Sequence, residues 1–216
     1  MKNKESLIRS ISGVFIVVIL LTFIYSHSIT FDFCFLFTVG LFMAMEWGLI
    51  TGASTNKNRW SIIGIFYISI TLLPLLFLKT TVPDGSHLVM WLFILVWSTD
   101  TFAYIVGAKL GLHKHKISKI SPNKSYEGLV GGTIASMIFC FLFANRFLSE
   151  YKYLLLLLTP IFSCLEQASD FTESYVKRKF NVKDSGDIIP GHGGFLDRFD
   201  GFLYITLLLI YILRWV

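Results

Sequence analysis

Residues 174–200 combine cations, carboxylates, glycines and one histidine in a chain that is otherwise largely apolar. The basic residues 177–179 come first, the glycine-rich turn 190–194 follows, and Asp197 and Asp200 come directly after it. Glycine adopts backbone conformations that expose N–H groups, and such groups near the start of a helix bind anions. Carboxylates three residues apart lie on one side of a helix and suit Mg²⁺, which also takes phosphate oxygens as ligands. The segment therefore predicts a site that handles phosphates with a divalent metal.

Each part of this segment also has a simpler interpretation. A basic run beside a membrane most often orients the protein or contacts lipid headgroups. Acidic residues in the first turn of a helix stabilise the helix dipole without any metal. Loops collect glycine for conformational reasons alone. The close succession of all three features is what favours the phosphate site.

The residues just before this segment predict a helix with one polar face. Four ionisable residues follow one another at spacings of 4, 3 and 4, namely Glu166, Asp170, Glu173 and Lys177. These spacings place all four side chains on one side of a helix. A leucine-rich run precedes them and puts Glu166 and Asp170 near membrane depth, where ionisable groups are usually functional. An ordinary solvated helix face is the alternative.

A second charged loop lies upstream. Ser121 and Pro122 predict the N-cap and first turn of a helix. Lys124 would lie in that turn, beside free N–H groups that can hold an anion, and Glu127 follows it. Asp100 lies near the end of the preceding apolar run, within expected reach of this loop. The alternative is an ordinary helix start at the membrane edge.

Long apolar runs must position these residues. Of the 216 residues, 54% are hydrophobic and 15% are charged, whereas soluble domains usually carry about a quarter charged residues. A bilayer core of about 30 Å needs roughly 20 apolar residues per helix. The runs therefore predict an all-α, polytopic integral membrane helical bundle with about seven transmembrane helices, in a range of six to eight. The predicted spans are residues 11–25, 29–50, 60–78, 87–107, 129–147, 152–165 and 199–213. We expect a single transmembrane domain, residues 1–216, with less specific spans in 1–96 and the catalytic half in 97–216.

The distribution of Lys and Arg predicts the topology. With a cytoplasmic N-terminus, 15 of the 19 Lys and Arg residues fall on the cytoplasmic side, in agreement with the positive-inside rule. Both charged loops then face the cytoplasm from the cell (inner) membrane. The net charge of +5 suits anionic headgroups and nucleotides, and no alternation of basic and aromatic residues predicts nucleic-acid binding. Asp32 and Glu46 also lie within predicted spans, and the sequence identifies no partner for either.

Residues 174–200 resemble the signature of the phosphatidate cytidylyltransferase (CDP-diacylglycerol synthase) family. The signature positions are occupied by Ser174, Val176, Lys177, Arg178, Lys183, Asp184, Gly186, Pro190, His192, Gly193, Gly194, Asp197, Arg198 and Asp200. Residues 100–107 and 121–128 resemble two further blocks of the same family. The chain departs from the family pattern, which usually has Lys at the position of Asn123, Gly at that of Ser169 and Ser at that of Gly201. It is also shorter than most members.

The resemblance implies transfer of the cytidylyl group of CTP to phosphatidic acid, which gives CDP-diacylglycerol and pyrophosphate in membrane phospholipid biosynthesis. The expected cofactor is Mg²⁺, with a second cation left open. The resemblance marks Asp170 and Asp197 for the metal, and we expect Asp200 as a metal ligand as well, with Asp184 as a further or supporting one. The expected catalytic residues are Lys177, Arg178, Lys183, Asp184, His192 and Arg198. The expected substrate-binding residues are Asp100, Ser121, Lys124, Glu127, Ser174, Gly193 and Gly194. For His192 a structural role and a direct contact with phosphate are equally compatible with the sequence.

Two other classes of function stay open at this point. One is another CTP-dependent lipid enzyme, such as a polyprenol or dolichol kinase or an ether-lipid CDP synthase. The other is a transporter with a cytoplasmic anion-binding loop. The expected partners are CTP, phosphatidic acid and the lipid bilayer, and the sequence leaves open whether the chain forms a homodimer.

Overall fold

The computed structural model describes residues 2–109, 124–191 and 193–215, with side chains from Arg9 onward. Within these ranges the chain forms eight α-helices and no β-strand, and the backbones of Ile189 and Gly193 form an isolated bridge. The helices are α1 (Lys2–Tyr25), α2 (Ile29–Thr51), α3 (Lys57–Thr81), α4 (Gly85–Lys109), α5 (Tyr126–Phe147), α6 (Lys152–Lys179), α7 (Leu196–Phe199) and α8 (Phe202–Leu213). The predicted all-α, polytopic fold is confirmed.

Helix length and composition agree with a membrane environment. The helices α2 to α6 are 22 to 28 residues long and apolar enough to cross a bilayer. Residues Arg9–Tyr25 of α1 form a shorter apolar helix, and the last predicted span is divided into α7 and α8. Large apolar side chains such as Phe15, Leu49 and Ile65 are exposed on the outside of the bundle. Such a surface suits lipid, because soluble proteins rarely expose large contiguous apolar patches.

The helices α4 and α5 pack closely because small residues lie between them. A Cβ atom on Gly128 would lie 2.6 Å from the Ala103 carbonyl oxygen, and one on Gly132 would lie 2.6 Å from that of Thr99. Gly128 and Gly132 are four residues apart, which is the spacing that lets two membrane helices approach. The contact brings the start of α5 beside the end of α4, and so brings the two upstream charged segments together.

A buried ion pair lies elsewhere in the bundle. Lys79 of α3 donates a hydrogen bond to Asp32 of α2, and both side chains are buried. Ser26 donates to the same carboxylate at 2.5 Å, and its backbone carbonyl accepts from Lys79 at 3.0 Å. Asp32 therefore has a structural partner that the sequence did not identify.

Candidate active site

The polar face of α6 lies inside the protein. The helix continues to Lys179, well beyond the predicted span, and Glu166, Glu173 and Lys177 are buried while Asp170 is half-buried. Buried ionisable groups cost free energy unless they are paired, so these side chains are unlike a solvated helix face. The spacing of 4, 3 and 4 residues thus identified a polar helix face that the structure buries.

Three carboxylates meet at the centre of this surface. Asp170 and Glu173 of α6 and Asp200, just after α7, each offer an oxygen atom, and these atoms lie within 4.8 Å of one another. Ser174 donates a hydrogen bond to Asp170 Oδ1 at 3.2 Å, and the Gly201 N–H donates to Asp200 Oδ1 at 2.8 Å. Carboxylate oxygens are the ligands that Mg²⁺ and Ca²⁺ prefer, and close carboxylates repel one another without a cation or proton. The cluster can therefore hold a metal ion.

The carboxylate of Asp197 is turned towards a cation and backbone donors. Lys177 Nζ lies 2.6 Å from Asp197 Oδ1 and 2.7 Å from Glu173 Oε2, so it joins Asp197 to the cluster. The Gly194 and Ser185 N–H groups donate to Asp197 Oδ2 at 3.2 and 3.4 Å. Burial disfavours the charged carboxylate, but the ion pair and these hydrogen bonds outweigh it and lower the pKa of Asp197 below its ordinary value. Glu173, which was not among the predicted ligands, lies beside Asp170 and Asp200, and the predicted metal role of Asp197 stays a prediction.

The loop before α5 supplies a second side of the site. Lys124 Nζ forms an ion pair with Asp170 Oδ2 at 2.5 Å and lies 4.7 Å from the centre of the Phe171 ring. The side chains of Asp100 and Glu166 are within hydrogen-bonding reach of each other on the facing helices α4 and α6. Lys124 thus connects the loop before α5 to the polar face of α6.

The start of α5 differs from the predicted one. Its N-cap is Ser125, whose hydroxyl oxygen accepts a hydrogen bond from the Gly128 N–H at 3.1 Å. This cap satisfies one of the free N–H groups of the first turn, so the helix begins at Tyr126. Lys124 therefore precedes the helix instead of lying in its first turn, while Glu127 does lie there. Ser121 lies outside the described residues.

Two glycines of the glycine-rich turn have positive φ angles. Gly191 and Gly193 have φ angles of 76° and 77°, a region that other L-residues rarely adopt. The Ile189 N–H donates to the Gly193 carbonyl at 3.0 Å and closes the turn. The Gly194 N–H is directed at Asp197, so its predicted role as a phosphate donor stays a prediction. His192 lies outside the described residues.

A family model described as Cytidylyltransferase family matches residues 1–216. The chain belongs to this family. Its relatives include proteins named phosphatidate cytidylyltransferase from Staphylococcus haemolyticus and Staphylococcus saprophyticus, each 42% identical over 77% of the chain. The matched region spans 66% of either staphylococcal protein, slightly less than two thirds of its length. A Rickettsia typhi protein of the same name is 37% identical over 94% of the chain and 90% of its own length. The family resemblance of residues 174–200 is confirmed.

Other predicted site residues lie at the edge of the carboxylate cluster. Four of the predicted catalytic residues are exposed, namely Arg178, Lys183, Asp184 and Arg198. Arg178 donates a hydrogen bond to the Val182 carbonyl at 3.0 Å. The structure therefore surrounds the carboxylate cluster with buried Lys177 and half-buried Lys124, and leaves the remaining cations closer to solvent. Their catalytic roles stay predictions.

Two departures from the family pattern meet in one contact. The Ser169 hydroxyl of α6 donates a hydrogen bond to the Asp200 carbonyl, directly before Gly201. A Cβ atom on Gly201 would lie 3.0 Å from Val96 Cγ1 and 3.2 Å from Glu166 Cγ. The Ser169 hydroxyl thus holds the Asp200 backbone beside α6, and a side chain at position 201 would be crowded by Val96 and Glu166.

Glu46 of α2 is the residue near this site that the sequence could not place. It is fully buried and accepts hydrogen bonds from the N–H groups of Phe195, at 2.9 Å, and Leu196, at 2.8 Å. The Ser185 hydroxyl donates to the same carboxylate at 3.5 Å. A Cβ atom on Gly194 would lie 2.6 Å from Glu46 Oε2, so the glycine is needed for the approach. The carboxylate therefore holds the start of α7, and the only signal for it was an acid inside an apolar span.

Proposed function

We propose that the protein transfers the cytidylyl group of CTP to phosphatidic acid and releases pyrophosphate. The observation that carries this proposal is the cluster of Asp170, Glu173 and Asp200, bordered by Lys124 and Lys177. Carboxylates that hold a cation, together with ammonium groups, form the arrangement that nucleotidyl transfer requires. Membership of the cytidylyltransferase family and the names of the relatives support the substrates.

The proposed reaction needs little general acid or general base catalysis. A phosphate oxygen of phosphatidic acid attacks the α-phosphorus of CTP, and the bond between this phosphorus and the bridging oxygen of pyrophosphate breaks. The attacking phosphate is already an anion, so no proton has to be removed from it. The obstacle is the repulsion between two polyanions, which positioned cations reduce. Lys124 and Lys177 would bind phosphate oxygens, and their carboxylate partners hold the two ammonium groups in place before substrate arrives.

The metal that suits this cluster is Mg²⁺. Asp170, Glu173 and Asp200 would hold it, since their oxygen atoms lie within 4.8 Å of one another. Glu173 Oε1 is buried and has no hydrogen-bond partner among the described residues, so a ligand-binding atom is available. When bound, Mg²⁺ would neutralise charge on the phosphates of CTP and on departing pyrophosphate. Asp197 would hold Lys177 and serve as a further ligand, and a second cation would find acidic oxygens at Asp100 and Glu166.

The proposed location is the cytoplasmic face of the cell (inner) membrane. CTP is a cytoplasmic nucleotide, and the excess of Lys and Arg in the charged loops supports the same side for them. The sites on α6, α7 and the loop before α5 then share one face with CTP, while the lipid arrives from the bilayer. A homodimer is compatible with this arrangement but is not needed for it, since the cluster comes from one chain.

The experiment that tests this function is an assay of purified protein with CTP, phosphatidic acid and Mg²⁺. We expect CDP-diacylglycerol and pyrophosphate in equal amounts, and expect Asp200→Asn to lower turnover at least about 100-fold through loss of metal-bound charge. Asp187→Asn, an exposed acid of the same segment, is the matched control and should retain wild-type turnover. Wild-type turnover by Asp200→Asn would contradict the metal assignment. Release of CDP instead of pyrophosphate would favour a lipid kinase.

A further inference from the structure

An apolar cavity of about 450 Å³ lies beside the charged site. Its walls come from α1, α2 and α4, and the segment 188–190 and α7 close one end. The lining is almost entirely aliphatic and aromatic, with Thr38 on α2 and Trp97 on α4 among its residues. A cavity of this composition suits a hydrocarbon chain, because an apolar ligand loses no hydrogen bond to water there.

Arg198 connects this cavity to the charged site. Its side chain lines the cavity, and its guanidinium group is also close enough to Asp100 to interact with it electrostatically. Asp197 is the adjacent residue in the chain. The cavity therefore has one cationic end, at Arg198, and an apolar remainder. An anionic headgroup attached to a hydrocarbon chain matches both parts.

The wall formed by α1 gives access from the bilayer. Leu20, Phe23 and Ile24, towards the end of α1, are buried in the bundle. Phe15 lines the cavity and is nevertheless 65% exposed, so the cavity reaches the lipid-facing surface beside it. The Ser12 hydroxyl donates to the Pro190 carbonyl at 2.8 Å and fastens α1 to the glycine-rich turn. A lipid can thus enter sideways while its headgroup stays level with the turn.

We propose that this cavity binds one acyl chain of the lipid substrate and that Arg198 binds the headgroup phosphate. The proposal rests on the proposed function and adds to it a determinant of acyl-chain length, formed by α1, α2 and α4. A lipid whose chains remained in the bilayer would meet the protein only at its headgroup, and chain length would then have little influence on turnover. A chain that enters the cavity gains affinity with each buried methylene group.

The test fills the cavity and compares lipids of two chain lengths. Thr38→Phe adds bulk at an exposed position of the cavity wall, and Met45→Phe places the same aromatic ring on the lipid-facing side of the same helix. We measure kcat/KM for dioctanoyl and dipalmitoyl phosphatidic acid. Thr38→Phe should lower the ratio of long-chain to short-chain kcat/KM by at least about tenfold, the equivalent of about 1.4 kcal/mol, while Met45→Phe leaves the ratio unchanged. An unchanged ratio in Thr38→Phe would overturn the proposal.

A binding measurement separates this proposal from the proposed function. Native mass spectrometry of the detergent-solubilised protein, without CTP, reports how much dipalmitoyl phosphatidic acid remains bound. Wild type and Met45→Phe should retain it, and Thr38→Phe should lose most of it. If the wild type retained the lipid but formed no CDP-diacylglycerol, the proposed function would fail and the cavity would stand. If the wild type and Thr38→Phe retained equal amounts, the cavity proposal would fail whatever the activity. Ile19→Phe, from the opposite wall, replaces Thr38→Phe if the latter does not fold.

Discussion

Replacement of Glu46 by alanine should disable the site from a helix that contributes no ligand to it. The Glu46 carboxylate accepts hydrogen bonds from the N–H groups of Phe195 and Leu196, at 2.9 and 2.8 Å. These two residues begin the short helix that carries Asp197 and leads to Asp200. Alanine would leave both N–H groups without their acceptor in a water-poor environment, so the start of α7 would shift.

The structure sets the size of the effect. A buried N–H group without an acceptor costs about 1–3 kcal/mol, so Glu46→Ala should destabilise the local structure by about 2–6 kcal/mol. A displacement of about 1 Å of a charged group lowers turnover by about 100-fold. Glu46→Gln keeps one oxygen atom but turns an amide N–H₂ group towards the second N–H donor. It should therefore retain one of the two hydrogen bonds and lie between wild type and Glu46→Ala.

The assay must separate positioning from general stability. We expect Glu46→Ala to lower kcat and raise the Mg²⁺ concentration for half-maximal activity, because Asp200 is displaced from Asp170 and Glu173. Thermal unfolding in detergent measures stability in parallel, and Met45→Ala, an exposed neighbour on the same helix, serves as the control. The reasoning would be refuted if Glu46→Ala kept the Mg²⁺ dependence and turnover of Met45→Ala. It would also be refuted if Glu46→Gln were no better than Glu46→Ala.

Three further substitutions test other parts of the site. Lys177→Met removes the ammonium group shared by buried Glu173 and half-buried Asp197, so it should destabilise the protein by about 3–5 kcal/mol in thermal unfolding and abolish turnover. Lys179→Met, at an exposed position, should change neither stability nor turnover. Gly193→Ala forces a side chain onto a residue with a φ of 77°, at a cost of about 1–2 kcal/mol, and should reduce turnover about tenfold. The control is Gly48→Ala on α2, where a Cβ atom meets nothing within 4 Å, and this change should leave stability unchanged or slightly raised. Lys124→Met should raise the KM for CTP with little change in unfolding temperature, because Lys124 is only half-buried; an unchanged KM would remove this residue from the phosphate site.

The sequence predicted the helices and the main polar face because both depend on local spacing. Apolar runs of about 20 residues fix the spans, and the spacing of Glu166, Asp170 and Glu173 fixes one side of α6. The conformation of Gly193 followed from residue type, since glycine alone readily adopts positive φ. These inferences needed no knowledge of which helices pack together.

The ligand set and the supporting contacts could not be read in the same way. Glu173 lies with Asp170 and Asp200 in the cluster, whereas Asp197 faces Lys177 and two backbone N–H groups. Which of these carboxylates meet depends on how the start of α7 packs against α6, and spacing along the chain does not determine that. Glu46 is about 150 residues away in sequence from Phe195 and Leu196, and the packing of α2 against the start of α7 brings them together. The division of the chain into less specific spans and a catalytic half stays a prediction, although Glu46 contacts the site from the first part.

The most direct test of the account follows the two labelled phosphorus atoms of CTP. Purified protein is incubated with phosphatidic acid and Mg²⁺, once with CTP labelled at the α-phosphorus and once with CTP labelled at the γ-phosphorus. The account predicts that the α-label enters the lipid fraction, that the γ-label appears in pyrophosphate, and that both transfers stop when the metal is chelated. Appearance of the γ-label in the lipid would show a kinase and contradict the account. Absence of both labels from the lipid, with a folded protein, would contradict it equally.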